Sequence, residues 1–309
     1  MSAQDEVSIV RAVYDAFNAR DFERSSALAA PGMEQVIVPL DARFHGPAGL
    51  GEYLRIWASA FPDARLELTS QVASAGEVAV EWVFRGTHTG ALAGAGMMIP
   101  PTGRTLEMKG VDLWSVEAGR LTHHRGYPDV LAMIQQLNVL PPGTLQGIDR
   151  RAPFDLVAID LENASPEQNK AVVVRYVEEV LNRGHGGAAL ALCAPSFAWH
   201  GGASGEGGIE EMRQMLTTFR SGFPDLRAAP GEMVAQADLV VVRLGMRGTH
   251  LGEFQGVGAT GNPVAFTATN SYRVVDGKIV EEWWQMDLLA LMQQIGAVRT
   301  MIRSRRLPS

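Results

Sequence analysis

Two carboxylates stand where acid–base chemistry could be done. Asp129 and Asp287 each lie directly before a short apolar run, Val130-Leu-Ala-Met-Ile-Gln-Gln136 and Leu288-Leu-Ala-Leu-Met-Gln-Gln294. A carboxylate in an apolar cavity has its pKa raised toward neutrality by desolvation, which suits it to removing a proton next to a carbonyl. The same position is that of a helix N-cap, whose side chain satisfies free backbone N–H groups and complements the helix dipole. Sequence alone leaves both roles open.

Other side chains could complete such a site. His88 and His250 end strand-like segments and are flanked by glycines; a histidine there could donate a hydrogen bond to an enolate oxygen or bond a tight bend. Counted back along an unbroken strand, Tyr127 and Gln285 share a face with the aspartates and are expected in the pocket. A bulge would bring His124 and Trp284 inward instead. Trp82 and Trp284 could wall a cavity for a flat ligand. The strand before Asp129 carries His123, His124 and Arg125 where the other carries Glu281, Glu282 and Trp283, so the two sites cannot be chemically identical. His45 and His200 precede glycine-rich loops and are expected near a pocket mouth or in solvent. Cys193, the one cysteine, lies in an apolar run and reads as a buried small hydrophobe. No CxxC or His/Cys spacing suggests structural zinc.

The elements that position these residues occur twice. Phe61-Pro62-Asp63 returns 162 residues later as Phe223-Pro224-Asp225, and Arg85-Gly86-Thr87-His88 returns at the same offset as Arg247-Gly248-Thr249-His250. Beyond them the offset becomes 158, pairing Thr102-Gly103 with Thr260-Gly261, Gly119 with Gly277 and Asp129 with Asp287. Asn18 and Asn182 match at 164. A duplicated domain follows, over 1–142 and 166–300, with 143–165 as a connector docked through its apolar middle, 154–159, and 301–309 as a basic tail. Ser165-Pro166-Glu-Gln168 reads as the capped start of the second copy.

Within each copy, Val7, Val10, Val13, Tyr14 and Phe17, and Val172, Val173, Tyr176, Val177 and Val180, have helical spacing. Further helices are expected over 22–30, 52–60 and 209–221. Period two then takes over, at Leu66 and Leu68, at Val78, Val80, Trp82 and Phe84, and at Met108, Gly110, Asp112 and Trp114. Hairpin turns are expected at 117–120 and 275–278, where Gly119 and Gly277 supply positive φ. Helices followed by a curved antiparallel sheet make an α+β fold, two tandem cones each around a pocket.

The chain has 309 residues, 46% hydrophobic and 20% charged, with a formal net charge of −7. That charge disfavours a nucleic-acid partner, and the basic residues Arg299, Arg303, Arg305 and Arg306 fit a helix end. No run of about 20 apolar residues offers a membrane span. The first residues have neither a basic nor an apolar leader region, so a cytoplasmic location is expected.

The ordered set Gly86-Thr-His-Thr-Gly90, Pro101-Thr-Gly-Arg104 and Asp129 with Gln136-Leu-Asn-Val-Leu-Pro141 resembles the SnoaL-like polyketide cyclases of the nuclear-transport-factor-2-like superfamily. The second copy resembles them through Gly248-Thr-His-Leu-Gly252, the run Gly277 to Asp287, and Gln294-Ile-Gly296. The resemblance implies a cone enclosing a deep apolar pocket, ring closure by intramolecular aldol condensation without metal or organic cofactor, and an acid/base Asp at the start of the terminal helix, here Asp129 and Asp287. It implies a small hydrophobic carbonyl-containing substrate, with the fused copies mimicking a homodimer in one chain. Isomerisation, dehydration, epoxide hydrolysis or non-catalytic binding are the other outcomes for such a cone. Asn138 and Pro263 depart from the family pattern, and polar side chains expected on the long strand before the hairpin are not clearly present; Leu113 and Ser115, or Ser271 and Arg273, stand nearby. The fuller run from Gly277 to Asp287 favours the second copy as the active half.

Overall fold

A computed structural model describes residues 2–94, 97–139, 165–201 and 206–298. The chain divides into two compact units, one within 1–141 and the other within 142–298. Of the expected connector only Ser165 is described; the rest of it, the basic tail and Arg299 lie outside the described residues.

The first unit opens with α1 (Ala3–Ala19), whose Ser2 and Asp5 form a reciprocal capping box, and α2 (Phe22–Leu28). Next come β1 (Ala29–Ile37), a 3-10 turn at Val38–Leu40, β2 (Ala42–His45) and α3 (Gly46–Ala60). The strands β3 (Arg65–Ser74) and β4 (Glu77–Thr87) lead through a small hairpin, β5 (Leu92–Gly94) and β6 (Met97–Ile99), to β7 (Thr105–Glu117), β8 (Arg120–Pro128) and α4 (Val130–Gln136). The six-stranded sheet runs β2-β1-β8-β7-β4-β3. It is antiparallel except between β1 and β8, which run parallel, so the expected all-antiparallel sheet is corrected at that pair, as it is at the equivalent pair of the second unit. The helix expected to reach residue 30 stops at Leu28, and the chain from Ala29 pairs with β8 instead.

The second unit repeats the order with α5 (Pro166–Tyr176), a π-helical turn at Val177–Asn182, α6 (Gly186–Leu192), β9 (Cys193–His200), β10 (Glu206–Gly207) and α7 (Ile209–Gly222). β11 (Arg227–Gln236), β12 (Leu239–Thr249), β13 (Pro263–Val275), β14 (Lys278–Met286) and α8 (Leu288–Gln294) follow. Its sheet has the order β10-β9-β14-β13-β12-β11. α5 begins at Pro166 as expected, but Ser165 makes no side-chain capping bond.

Local chemistry explains these joints. Ala118-Gly119 and Asp276-Gly277 turn the two long hairpins with φ of 47° and 77°, and 49° and 71°, the paired positive angles of a tight type I′ turn. Asn18 and Asn182 each clamp an edge strand in both directions, Asn18 to the backbone of Leu66 and Asn182 to that of Ala228. Two extra residues separate Tyr176 from Asn182 relative to Tyr14 and Asn18. The π-helical turn absorbs them, keeping both the tyrosine and the asparagine in place.

Candidate active site

The repeated motifs prove to be one structural bracket. Asp63, after the turn that ends α3, accepts hydrogen bonds from Thr87 N and Oγ1, both at 2.7 Å, and Asp225 holds Thr249 in the same way at 2.7 and 2.8 Å. Those bonds hold both carboxyls below the usual Asp range. His88 and His250, fully buried beside them, lie tilted against Phe61 and Phe223, and their Nδ1 atoms lie 3.1 and 3.0 Å from the hydroxyls of Thr102 and Thr260. Gly90 and Gly252 permit the close approach: a Cβ on either would stand 1.9 Å from the carbonyl oxygen of Ser59 or Ser221. Neither histidine lines a cavity described below.

Asp129 and Asp287 cap helices. Asp129 accepts from Ala132 N at 2.9 Å and Asp287 from Ala290 N at 3.0 Å. Neither is among the lining residues of the cavity in its unit.

The carboxylate in the first unit's cavity is Asp112, on β7. Tyr14 of α1 donates its hydroxyl hydrogen to Asp112 Oδ2 at 2.6 Å, and Trp114 Nε1 donates to the tyrosine oxygen at 3.0 Å. Burial, followed by the charge of Asp112, pushes the Tyr14 phenol well above its usual range, so it remains a donor. His124 Nε2 lies 3.2 Å from Asp112 Oδ1 while its ring stacks on Trp114 at 3.9 Å. Among the described residues, neither nitrogen of this buried imidazole has a partner in hydrogen-bonding geometry, nor does the amide of Gln35 or Trp82 Nε1. All line a cavity of about 40 Å³, closed otherwise by apolar side chains including Leu50, Trp57 and Met108. Buried polar groups left without partners are costly, and their convergence in one apolar cavity is the signature of a site that completes its hydrogen bonds with a ligand.

The face of β8 and β14 that looks inward is not the face that carries the aspartates. Ser115 pairs with His123 but Val116 with Leu121, leaving Thr122 extra; in the second unit Arg273 pairs with Glu281 and Val274 with Ile279, leaving Val280 extra. Both bulges lie beyond His123 and Glu281, and from there to Pro128 and Met286 the pairing is unbroken, so Tyr127 and Gln285 do share the aspartates' parity; yet His124 and Trp284, of the opposite parity, line the cavities and Tyr127 and Gln285 do not. Trp82 does so as well. His45 is exposed, and His200 bonds Glu281.

The second unit replaces the constellation. Asn270 stands for Asp112, Tyr272 for Trp114 and Glu282 for His124, while Tyr176 keeps the place of Tyr14. Tyr176 donates to Glu282 Oε2 at 2.8 Å, and Asn270 donates to the Tyr272 hydroxyl at 3.1 Å. Complete burial pushes the Glu282 carboxyl up to about 7, held from rising further by Trp284, Tyr176, Tyr272 and Asn270. Burial, then the charge of Glu282, likewise pushes the Cys193 thiol up to about 12, which suits a buried hydrophobe and not a nucleophile. Asn270 and Trp284 line this unit's cavity, also about 40 Å³, together with Phe219, Arg220 and Met286. The bulk has moved too: Trp82 lies over Gly110 in the first unit, whereas the second has Leu244 and Ala268 there and Trp284 where the first has Gly126.

The model of the SnoaL-like polyketide cyclases matches residues 7–137 and again 171–295. The chain belongs to that family. Its two copies coincide with the two units, and the α+β architecture is that of the family's cone. Among solved structures, IdmH from Streptomyces antibioticus, a proposed polyketide cyclase, is 32% identical over 42% of this chain and 99% of its own, with a TM-score of 0.39. AclR from Streptomyces galilaeus, a proposed hydroxylase, is 27% identical over 44% and 85%, at 0.41. A SnoaL-like polyketide cyclase proposed from Jannaschia sp. CCS1 is 26% identical over 44% and 99%, at 0.41. No curated protein matches the chain. Among the described residues no helix is long and apolar enough to cross a membrane, and no three His, Cys, Asp or Glu side chains group to hold a metal ion.

Proposed function

We propose that the first unit of this SnoaL-like protein removes a proton next to a carbonyl group of a small apolar substrate and closes a ring by intramolecular aldol addition, with His124 as the base and Asp112 as the residue that orients it. The observation that carries this reading is the buried contact of His124 with Asp112, 3.2 Å apart, in a cavity where the imidazole has no other polar partner. A carboxylate beside an imidazole fixes the ring and stabilises the imidazolium formed when it takes a proton. Tyr14 holds Asp112 through its hydroxyl, and Trp114 in turn holds Tyr14.

In the proposed step the carbon–hydrogen bond breaks, its proton passes to His124, and the electron pair is held as an enolate. Gln35 and Trp82 offer unpartnered N–H groups in the same cavity for the developing oxyanion. The enolate carbon then bonds to a second carbonyl carbon of the molecule, whose oxygen recovers the proton. Because the cavity measures about 40 Å³, a ring system enters only when Trp82 or the α3 side chains Tyr53 and Trp57 turn aside. In this reading Asp129 and Asp287 remain caps, and the first unit, not the second, is the catalytic half.

The test is exchange of the α-protons of 2-tetralone in D2O, followed by proton NMR. His124→Ala is expected to abolish protein-dependent exchange while Asp129→Asn preserves it and melts earlier. Exchange that survives His124→Ala and disappears in a folded Asp129→Asn protein would return the chemistry to the terminal helix.

A further inference from the structure

Among the described residues of the second unit, one partly buried cation has no acidic side chain paired with it. Arg220, near the end of α7, donates through Nη2 to the carbonyl oxygens of Leu181 at 2.7 Å and Val180 at 3.4 Å, so its known bonds go to backbone at the end of the π-helical turn. A guanidinium has five N–H donors in a fixed fork, and no carboxylate among the described residues pairs with this one. Burial first, and then the charge of Arg227, lower its pKa. A partly desolvated charge facing another of the same sign is costly unless an anion completes the arrangement.

Its position tells where that anion would sit. Arg220 and Leu216 together form the wall between two spaces: the inner cavity with Asn270 and Trp284, and an outer cleft of about 310 Å³ between α6 and α7. Arg213, Gln214 and Thr217 line the same cleft. Glu210, its one acidic side chain, is tied to Arg213 at 3.2 Å. The segment opposite, from Gly184 to the first residue of α6, is cut to fit the two guanidiniums. A Cβ at Gly184 would lie 2.7 Å from Arg220 Cζ, and one at Gly186 would lie 2.9 Å from Arg213 Nη2.

The first unit lacks the whole device. The positions of Arg213 and Arg220 on α7 are Gly51 and Ala58 on α3. There the helix-end clamp comes from the other side, through Arg20, which bonds the carbonyls of Phe17, Pro62 and Ala64. Clamping therefore does not require an arginine on the cavity wall; the second unit has placed one there.

We infer that the cleft between α6 and α7 of the second unit binds a small organic acid, its carboxylate on Arg220 with Arg213 at the outer rim and its apolar body directed to the Leu216 side. The two units then differ in ligand class, a neutral carbonyl compound in the first and an anion in the second. This inference stands on Arg220 and the cleft, and does not depend on the acid–base reading of the first unit.

The probe is 2-naphthoate against its uncharged counterpart 2-naphthalenemethanol, titrated into the full chain by isothermal calorimetry. The naphthoate is expected to bind at one site and the alcohol at least about tenfold more weakly, the scale of one charge-assisted hydrogen bond. Arg220→Gln is expected to remove that preference and Arg220→Lys to keep part of it. Because Arg220 also holds a helix end, Thr217→Trp serves as the second variant: it leaves the Arg220 bonds untouched, fills the cleft from an exposed helix position, and should abolish naphthoate binding at an unchanged melting temperature. Equal affinity for acid and alcohol, or naphthoate binding that survives Thr217→Trp, would overturn the assignment.

Discussion

Asp112 and His124 face each other at 3.2 Å in the first unit, and at the same two positions the second unit has Asn270 and Glu282. The carboxylate has crossed from the long strand to its hairpin partner and the imidazole has vanished. One hydroxyl serves both arrangements, since Tyr14 bonds Asp112 on one strand and Tyr176 bonds Glu282 on the other. The duplication thus preserved the scaffold of a polar cluster while changing what it can do with a proton.

Transplanting the second cluster into the first should separate fold from chemistry. The double variant Asp112→Asn/His124→Glu reproduces the second unit's pair beside a tyrosine already in place. It is expected to fold, with unchanged far-ultraviolet circular dichroism, and to lose α-proton exchange by about 10²-fold or more, the usual scale of general-base catalysis. Exchange within a fewfold of wild type would show that the imidazole is not the base.

Glu282 should write itself into the pH dependence of stability. Its folded-state pKa of about 7 lies above the ordinary 4.5, so the native chain holds this proton where the unfolded chain has released it. Stability associated with it is complete below pH 4.5, declines as pH rises from there to about 7, and is constant beyond. The loss is on the order of 3 kcal/mol. Urea unfolding of the wild type and Glu282→Gln at pH 5 and pH 8 measures it: the variant should gain relative to wild type at the higher pH. Parallel shifts at both pH values would show that the carboxyl is not held protonated.

His200 should titrate above the ordinary histidine value of 6.5. Its hydrogen bond to Glu281, 2.9 Å long, is the largest cause of the rise; burial opposes it, and the charges of Glu281 and Glu206 add to it. Arg273 also approaches Glu281, at 3.9 Å, and the His200 ring stacks on Trp283. Titration of the imidazole resonances by NMR should show the elevated value and its fall in Glu281→Gln. An unchanged midpoint in that variant would remove Glu281 as the cause.

The helices, hairpins and duplication are legible in the sequence because each is written in local spacing. The Ala118-Gly119 and Asp276-Gly277 turns and the Asp129 and Asp287 caps need only their immediate neighbours. What resists reading depends on a partner far along the chain. β1 contains Pro31 and Gly32, which look like a helix stop, and becomes a strand through parallel pairing with β8. β8 pairs without a break from His123 to Pro128, so spacing alone yields two faces and not which of them looks inward; the cavity lies on the side of His124, not Tyr127. Asp112 did carry a signal: it shares the parity of Met108, Gly110 and Trp114, and a carboxylate on the apolar face of a strand is out of place unless it has a task. Leu113 and Ser115 have the opposite parity.

The bracket that joins Asp63 to Thr87 should matter for stability alone. Gly90→Ala would press a methyl group to 1.9 Å from the Ser59 carbonyl oxygen, and the loop can relieve this only by giving up the bond from Gly90 N to Ala60 O. A loss of about 1–3 kcal/mol is expected, the range for overpacking a closed site. Its measurement is denaturant unfolding, with α-proton exchange per folded molecule unchanged. Loss of exchange in a fully folded Gly90→Ala protein would place this loop in the chemistry after all.

Trp82 is expected to set how large a substrate the first unit accepts. Its ring lies so close over Gly110 that a Cβ there would meet it at 2.2 Å, and it occupies the part of the cavity that the second unit leaves to Leu244. Trp82→Leu reproduces that smaller side chain on the same strand. Removing buried aromatic volume costs up to about 3 kcal/mol in stability, but the space gained adjoins His124 and Asp112. Exchange rates for 2-tetralone and a three-ring ketone separate the two effects: the variant should favour the larger ketone relative to wild type, while mere destabilisation would slow both equally. An unchanged ratio would mean that the wall a substrate must displace is Tyr53 and Trp57 of α3.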